Sequence, residues 1–346
     1  MAISKEQLDE FKDRVLGAKR PLFFYDDDAD GLCSYLLCYK ARGDGLGVRV
    51  HGSASVTIDL LRKVEENIPD IIVILDKPYA EQAFIDAVSV PVLWLDHHEP
   101  QKPEGVTYLN PRIDDDEDNK STSYWVYKAL GRKEDLWLAA IGNITDWQIT
   151  EVAAEFMKKY PELLKKASTP PEAMYSEPFC TLTRLVQFNL KGDSTEVRTA
   201  IKILSRIDSP EELLEHTTPR AKLLYKRYEK ISREYGKYFA EASKAAGKDE
   251  LLFHSFTRME TSLLSELSNQ LLYEHPDKVI FLTRQHNGEN KLSIRSSKHD
   301  VASAVKAAME GVRGNAGGHT FACGGNINSD DFPKFLEAFK VALNLE

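Results

Sequence analysis

The sequence predicts an α/β protein: a parallel-sheet N-terminal domain joined by a helical linker to a smaller α/β module. Three observations carry this. Between Phe23 and Leu95, apolar runs alternate with helical segments of roughly ten to fifteen residues, the pattern of βαβ units in a mostly parallel sheet. From about Ala153 to Lys248 the chain reads as helix broken at Pro161, Pro170, Pro171, Pro178 and Pro210. Beyond Lys248 strand signals return, with Asn287-Gly288 as a hairpin turn. A chain of 346 residues is long enough for two cores. The expected boundaries are 1–155, 156–248 and 249–346.

In order, Ser4 to Ala18 places Leu8, Phe11, Val15 and Leu16 at helical spacing, with Ser4 and Gln7 as a capping box. The run Phe23-Phe24-Tyr25 reads as a strand that stops on Asp26-Asp27-Asp28-Ala29-Asp30-Gly31, and a helix follows to about Arg42. A strand at 48–51, a helix at 60–68, a strand at 71–75 ending on Asp76 and a helix at about 80–88 come next. Val92 to Leu95 then ends on Asp96-His97-His98. A short strand at 106–109 precedes the acid run Asp114 to Asp118, which follows no strong apolar strand and reads as a solvated loop. Helices at 122–130 and 134–144 lead to Asp146. The segment Pro219 to Ala240 puts Leu224, Tyr228, Ile231, Tyr235 and Tyr238 on one stripe among lysines and arginines. It reads first as a connecting helix that buries this stripe, and second as a surface that stacks bases. In the last module, strands and helices alternate around the stretch Gly314-Asn315-Ala316-Gly317-Gly318-His319, read as a tight turn.

Lys plus Arg number 45 against 54 Asp plus Glu, a formal charge of −9, so the chain is no basic nucleic-acid coat. Cys33, Cys38, Cys180 and Cys323 form no CxxC pair, which suits reduced thiols and a cytoplasmic location. No apolar run is long enough for a signal peptide or a membrane span.

The acidic turn is the centre of the chemistry. Three strands each stop on residues that bind metals, and strand C-terminal ends are where open α/β sheets bind ligands. If strand geometry persists, Asp26, Asp28 and Asp30 share one face and Asp27 points away. Carboxylates this close repel unless a cation sits among them, and carboxylate with imidazole suits Mn²⁺, Zn²⁺ or Fe²⁺ better than Ca²⁺. Asp26, Asp28, Asp30, Asp76, Asp96, His97, His98 and Asp146 are too many ligands for one ion and about right for two. In the last module Gly317-Gly318 lets backbone N–H groups approach a phosphate, while His319 and Arg295 supply donors.

The order Asp-x-Asp-Ala-Asp-Gly, Asp76, Asp96-His97-His98, Gly142-x-x-x-Asp146 and a distal Gly-Gly-His resembles the DHH/DHHA1 phosphoesterases. That family includes RecJ-type single-strand exonucleases and nanoRNase/phosphoadenosine-phosphate phosphatases. The resemblance implies a parallel-sheet DHH domain and a DHHA1 substrate-binding domain carrying Arg295, Gly317, Gly318 and His319. It implies two divalent ions, Mn²⁺ with Mg²⁺ as the alternative, one held by Asp26 and Asp28, the other by Asp30, His97 and Asp146, with Asp76 bridging. His98 would contact the scissile phosphate or assist the leaving group, and Asp96 would orient a neighbouring histidine. Many members carry histidine where this chain has Asp26, and Ala316 replaces a third glycine. With no further domain after the second module, the form resembles the shorter archaeal RecJ-like proteins.

The expected activity is a single-strand-specific exonuclease on DNA or RNA that releases mononucleotides, its substrate threading a cleft between the modules. The alternatives are a nanoRNase or phosphoadenosine-phosphate phosphatase acting on short oligonucleotides, and a non-catalytic replisome scaffold. Replication and repair proteins are the expected partners, and a membrane is not.

Overall fold

The three central strands of the first sheet are apolar on both sides because helices cover both faces. Phe23, Tyr25, Val73, Leu75, Leu93 and Leu95 pack into one core, and the alternate residues Leu22, Phe24, Ile72, Ile74, Val92 and Trp94 into another. The computed structural model describes residues 3–345 and divides into two units, Met1–Tyr228 and Glu229–Glu346.

The first unit opens with α1 (Lys5–Gly17), whose Ser4–Gln7 capping box is formed as read from the sequence. There follow β1 (Pro21–Asp26), α2 (Ala29–Arg42), β2 (Leu46–Val50), the two-residue β3 (Ser55–Val56), α3 (Leu61–Asn67) and β4 (Ile71–Leu75). Then come β5 (Tyr79–Ala80), which pairs with β3, α4 (Gln82–Ala87), β6 (Val92–Leu95) and β7 (Thr107–Leu109). The main sheet is parallel throughout, in the order β2-β1-β4-β6-β7. The chain reverses direction across the sheet between β1 and β4, so crossovers leave on opposite sides and open a crevice above those two strand ends.

Helices α5 (Thr122–Leu130) and α6 (Leu136–Thr145) pack with α2 on one face. The segment read from sequence as linker is built differently. Helices α7 (Glu151–Lys159), α8 (Pro170–Met174), α9 (Phe179–Asn189), α10 (Ser194–Leu204) and α11 (Pro210–Leu214) share the first unit's core, to which Phe156, Phe179, Leu185, Leu204 and Leu213 contribute. Proline breaks shape these helices; α7 and α8 pack on α6, α9 on α8, and α10 and α11 on α9. Helix α12 (Pro219–Ser243) buries Leu224, Ile231, Tyr235 and Tyr238, so the stripe is packing surface and not a base-stacking platform. Asp114 to Glu117 are exposed, as a solvated loop requires.

The second unit holds β8 (Leu251–Phe256), α13 (Leu264–Glu274), β9 (Val279–His286), β10 (Glu289–Arg295), α14 (Val301–Ala308), β11 (Gly314–His319), β12 (Ala322–Asn328) and α15 (Phe332–Ala342). Its sheet is mixed, in the order β11-β12-β10-β9-β8. Asn287 and Gly288 turn the β9–β10 hairpin with φ of 50° and 77°. The glycine-rich stretch is not a tight turn between helix and strand: it is the edge strand β11, paired residue by residue with β12. Glycines carry no side chains to alternate, so the sequence shows no strand period there. At Gly318 (φ 153°) a Cβ would sit 2.2 Å from the Ala322 carbonyl oxygen, a separation open only to glycine. The four cysteines are buried and unpaired, and among the described residues no helix is long and apolar enough to cross a membrane.

Candidate metal centre

The three aspartates of the acidic turn converge by a route other than strand alternation. The strand ends at Asp26, Asp28 caps α2 by accepting from the Gly31 amide at 2.9 Å, and Asp30 lies in the first helical turn. A strand end, a helix cap and a helix turn thus converge where alternation along one strand would not. Asp27 does point away, to Arg49 at 2.6 Å and to the His51 ring.

Donor atoms gather in three sets, each within 4.8 Å: Asp26–Asp28–Asp76, Asp30–His97–Asp146 and Asp76–His97–His98. Asp76 belongs to two of them. It lies just past β4, and its left-handed backbone (φ 58°) turns the chain at the rim. His97 Nε2 is 3.3 Å from Asp76 and 3.6 Å from Asp146. The His97 Nδ1 faces the Asn119 carbonyl at 3.0 Å, a partner that only accepts, so Nδ1 carries hydrogen and Nε2 turns to the carboxylates. His98 Nδ1 is 2.7 Å from buried Asp96, which also accepts the His98 amide at 3.0 Å, so Asp96 fixes that ring.

Several partners carry no motif in the sequence. The N-terminus of α5 donates the Thr122 and Ser123 amides to Asp30 at 2.8 and 3.1 Å, and the Ser123 hydroxyl bonds the same carboxylate. Thr122 Oγ1 donates to Asp76 at 3.2 Å. The Ser-Thr-Ser run that signals a helix cap was the available clue. Lys77, fully buried, reaches Asp26, and nothing in the sequence sets a lysine after an apolar strand apart from a solvated one. Gly142 explains the spacing to Asp146: a Cβ there would fall 2.2 Å from Ser123 Oγ and 2.8 Å from Asp30 Oδ1. Its absence lets α6 close on Asp30 and deliver Asp146, one turn later, beside His97.

The electrostatics match this crowding. Burial, then the charges of Asp76 and Asp146, push Asp30 well above the usual carboxylate range. Burial, with Asp76, raises Asp146 to about 7 against the opposing pull of His97. Burial would raise Asp76 too, yet the hydrogen bond and charge of His97 hold it at about 2. Burial disfavours charge on His97, but Asp146 and Asp76 push it well above its ordinary value. A rim in which carboxylates repel one another around shared imidazole and oxygen donors fits divalent ions of the Mn²⁺, Zn²⁺ or Fe²⁺ kind.

In the second unit, Arg295 pairs in register with Ala322 and Ala322 with His319, so Arg295 and His319 sit on one face at one level of the sheet. Arg295 donates to Asn269 at 2.7 Å and to the Cys323 carbonyl at 3.1 Å, which anchors it. Gly317, Gly318 and His319 are exposed, and the two glycines line a groove of about 470 Å³ with Ala302, Ser303, Lys306 and Met309.

Residues 22–157 match the family model of the DHH family, N-terminal domain, and residues 249–344 that of the DHHA1 domain. Among solved structures, the chain is similar to RecJ of Thermus thermophilus in complex with Mn²⁺, at 17% identity and TM-score 0.70, over 98% of this chain and 54% of that one. It therefore spans about half the length of that RecJ. It is also similar to an exonuclease RecJ bound to manganese (18%, TM-score 0.60, 98% and 94% covered). A third likeness is to the pGpG-specific phosphodiesterase PggH of Vibrio cholerae (13%, TM-score 0.51, 94% and 99%). At these identities the likeness is one of fold. No curated protein matches the sequence. With both domain models matched in order, over the rim and the glycine-rich hairpin, the chain belongs to the DHH/DHHA1 phosphoesterase family and has a RecJ-like fold.

Proposed function

We propose that this phosphoesterase is a metal-dependent phosphodiesterase that trims single-stranded nucleic acid from an end and releases mononucleotides. The observation that carries the reading is the convergence of Asp26, Asp28, Asp30, Asp76, His97 and Asp146 at one rim in two donor sets that meet at Asp76 and His97. Asp26, Asp28 and Asp76 would hold one divalent ion, and Asp30, His97 and Asp146 the other, with Asp76 shared. Mn²⁺ suits the donors best, with Mg²⁺ the alternative. When bound, such ions neutralise the phosphodiester and make water a competent nucleophile near neutral pH.

The protein's own groups do the rest. Asp96 engages His98 Nδ1 and leaves Nε2 to face the scissile phosphate and to give a proton to the departing oxygen. The α5 N-terminus fixes Asp30, so the ligands keep their places as charge builds on the substrate. In the second unit Gly317, Gly318 and His319 would bind phosphate or ribose through backbone amides and imidazole, with Arg295 beside them.

A second reading, cleavage of short oligonucleotides, is favoured by the burial of Tyr235 and Tyr238, which removes the aromatic track a processive exonuclease uses. End-labelled DNA, RNA and dinucleotides, each digested with Mn²⁺ or Mg²⁺, separate the two. Mononucleotides released from long strands support the first reading. Fast dinucleotide turnover with long strands intact replaces it with the second, and no hydrolysis of any substrate ends both.

A further inference from the structure

A lysine buried in a protein is costly unless its charge is matched. Among the described residues Lys77 is the one fully buried lysine. Its Nζ lies 2.5 Å from Asp26 Oδ1 and 2.6 Å from the Ser53 carbonyl. The left-handed backbone of Asp76 breaks the alternation of side chains beyond β4, so consecutive residues reach the same rim, Asp76 at Thr122 and Lys77 at Asp26. The Trp94 indole donates to the Lys77 carbonyl at 3.0 Å and pins the turn from below.

The two donor sets are therefore unlike. Asp26–Asp28–Asp76 already contains a fixed ammonium group. Among the described residues no lysine or arginine forms an ion pair with Asp30 or Asp146, and His97 Nε2 lies 3.6 Å from Asp146. We propose that Lys77 is a resident cation of the Asp26–Asp28–Asp76 set: it holds Asp26 by charge, keeps that set balanced without an ion, and makes it the weaker of the two for a divalent metal. The inference rests on the two-ion reading above. It gives the enzyme a graded response, with the Asp30–His97–Asp146 set filled first and the other only as free metal rises.

The test uses the full chain, stripped of metal, titrated with MnCl₂ by calorimetry and melted with and without Mn²⁺. Wild type is expected to bind two ions in separate events. In Lys77→Met the weaker event tightens on the order of tenfold and the stronger one keeps its affinity. The stripped variant melts below stripped wild type, saturating Mn²⁺ closes most of that gap, and adding Asp26→Asn restores the stripped protein's melting point. If stripped Lys77→Met does not fold, recovery in Mn²⁺ or in the double variant supports the same conclusion. Failure to fold under both conditions means that Lys77 acts by packing, and overturns it. So do two binding events unmoved by Lys77→Met, a weaker event made weaker still, or an equal loss of melting temperature with and without Mn²⁺. Wild type that binds no Mn²⁺ ends the metal reading itself, an outcome distinct from two ions that ignore Lys77.

Discussion

The acid rim and the glycine-rich hairpin solve opposite problems. At the rim, Asp30, Asp76 and Asp96 are buried and carboxylates are held by fixed partners: Asp30 by α5, Asp96 by Asn110 and His98, Asp26 by Lys77. In the hairpin, Gly317 and Gly318 carry no side chain and stand in solvent beside His319. Rigid, desolvated groups strengthen electrostatics at a reacting centre, whereas exposed backbone can meet a phosphate without first displacing a side chain. On the proposed function, the difference teaches that chemistry and recognition would be carried by different materials, side-chain charge in one unit and main chain in the other.

The sharpest way to break this comparison is Asp76→Ala. The residue belongs to two donor sets, so hydrolysis should fall about a thousandfold or more while the fold persists, as read by kcat and circular dichroism. Unchanged hydrolysis would remove Asp76 from the centre. Next is Gly142→Ala, whose methyl group would meet Ser123 Oγ and Asp30 Oδ1. A loss of about 1–3 kcal/mol in denaturant unfolding is expected, together with weaker metal binding. A variant as stable as wild type with full metal affinity would mean that α6 need not approach so closely.

His319→Ala tests the other side of the comparison. Its ring is exposed, so stability should hold while KM rises about tenfold and kcat changes little. An equal fall in kcat would give the hairpin a share in the chemistry. The smallest effect is expected at Glu212, a carboxylate with its own permanent cation, which the rim aspartates other than Asp26 lack. Burial pushes Glu212 up, but Arg220 at 2.6 Å outweighs it and holds the carboxyl at about 2, below its ordinary 4.5. A carboxyl lowered on folding adds stability above its ordinary value and loses it as pH falls from 4.5 towards 2. Glu212→Gln should therefore flatten the acid limb of the stability curve in that window, and an unaltered limb would show that the pair contributes nothing.

Much of this was legible in the residues. Apolar runs of Val, Ile, Leu and Phe must be strands covered on both faces, and their stops on Asp26, Asp76 and Asp96 fall at the edge where open α/β sheets in general bind ligands. The α1 capping box and the Asn287-Gly288 turn are local chemistry and read directly. Where side chains are missing, as in β11 and β12, periodicity has nothing to act on, and a paired strand reads as a turn. The helices after Lys159 look like a connector because helical amphipathicity says that a face is buried but not against what.

Local order along the chain thus determined the parallel sheet, its acid-lined edge and the kinds of atoms gathered there, because strand period, turn residues and ligand chemistry are properties of neighbouring residues. Tertiary structure alone decided that α5 caps Asp30, that Gly142 admits Asp146, and that Lys77 turns inward to Asp26 and not out to water. Those contacts join residues tens of positions apart, and whether a charge is buried or solvated depends on what folds over it.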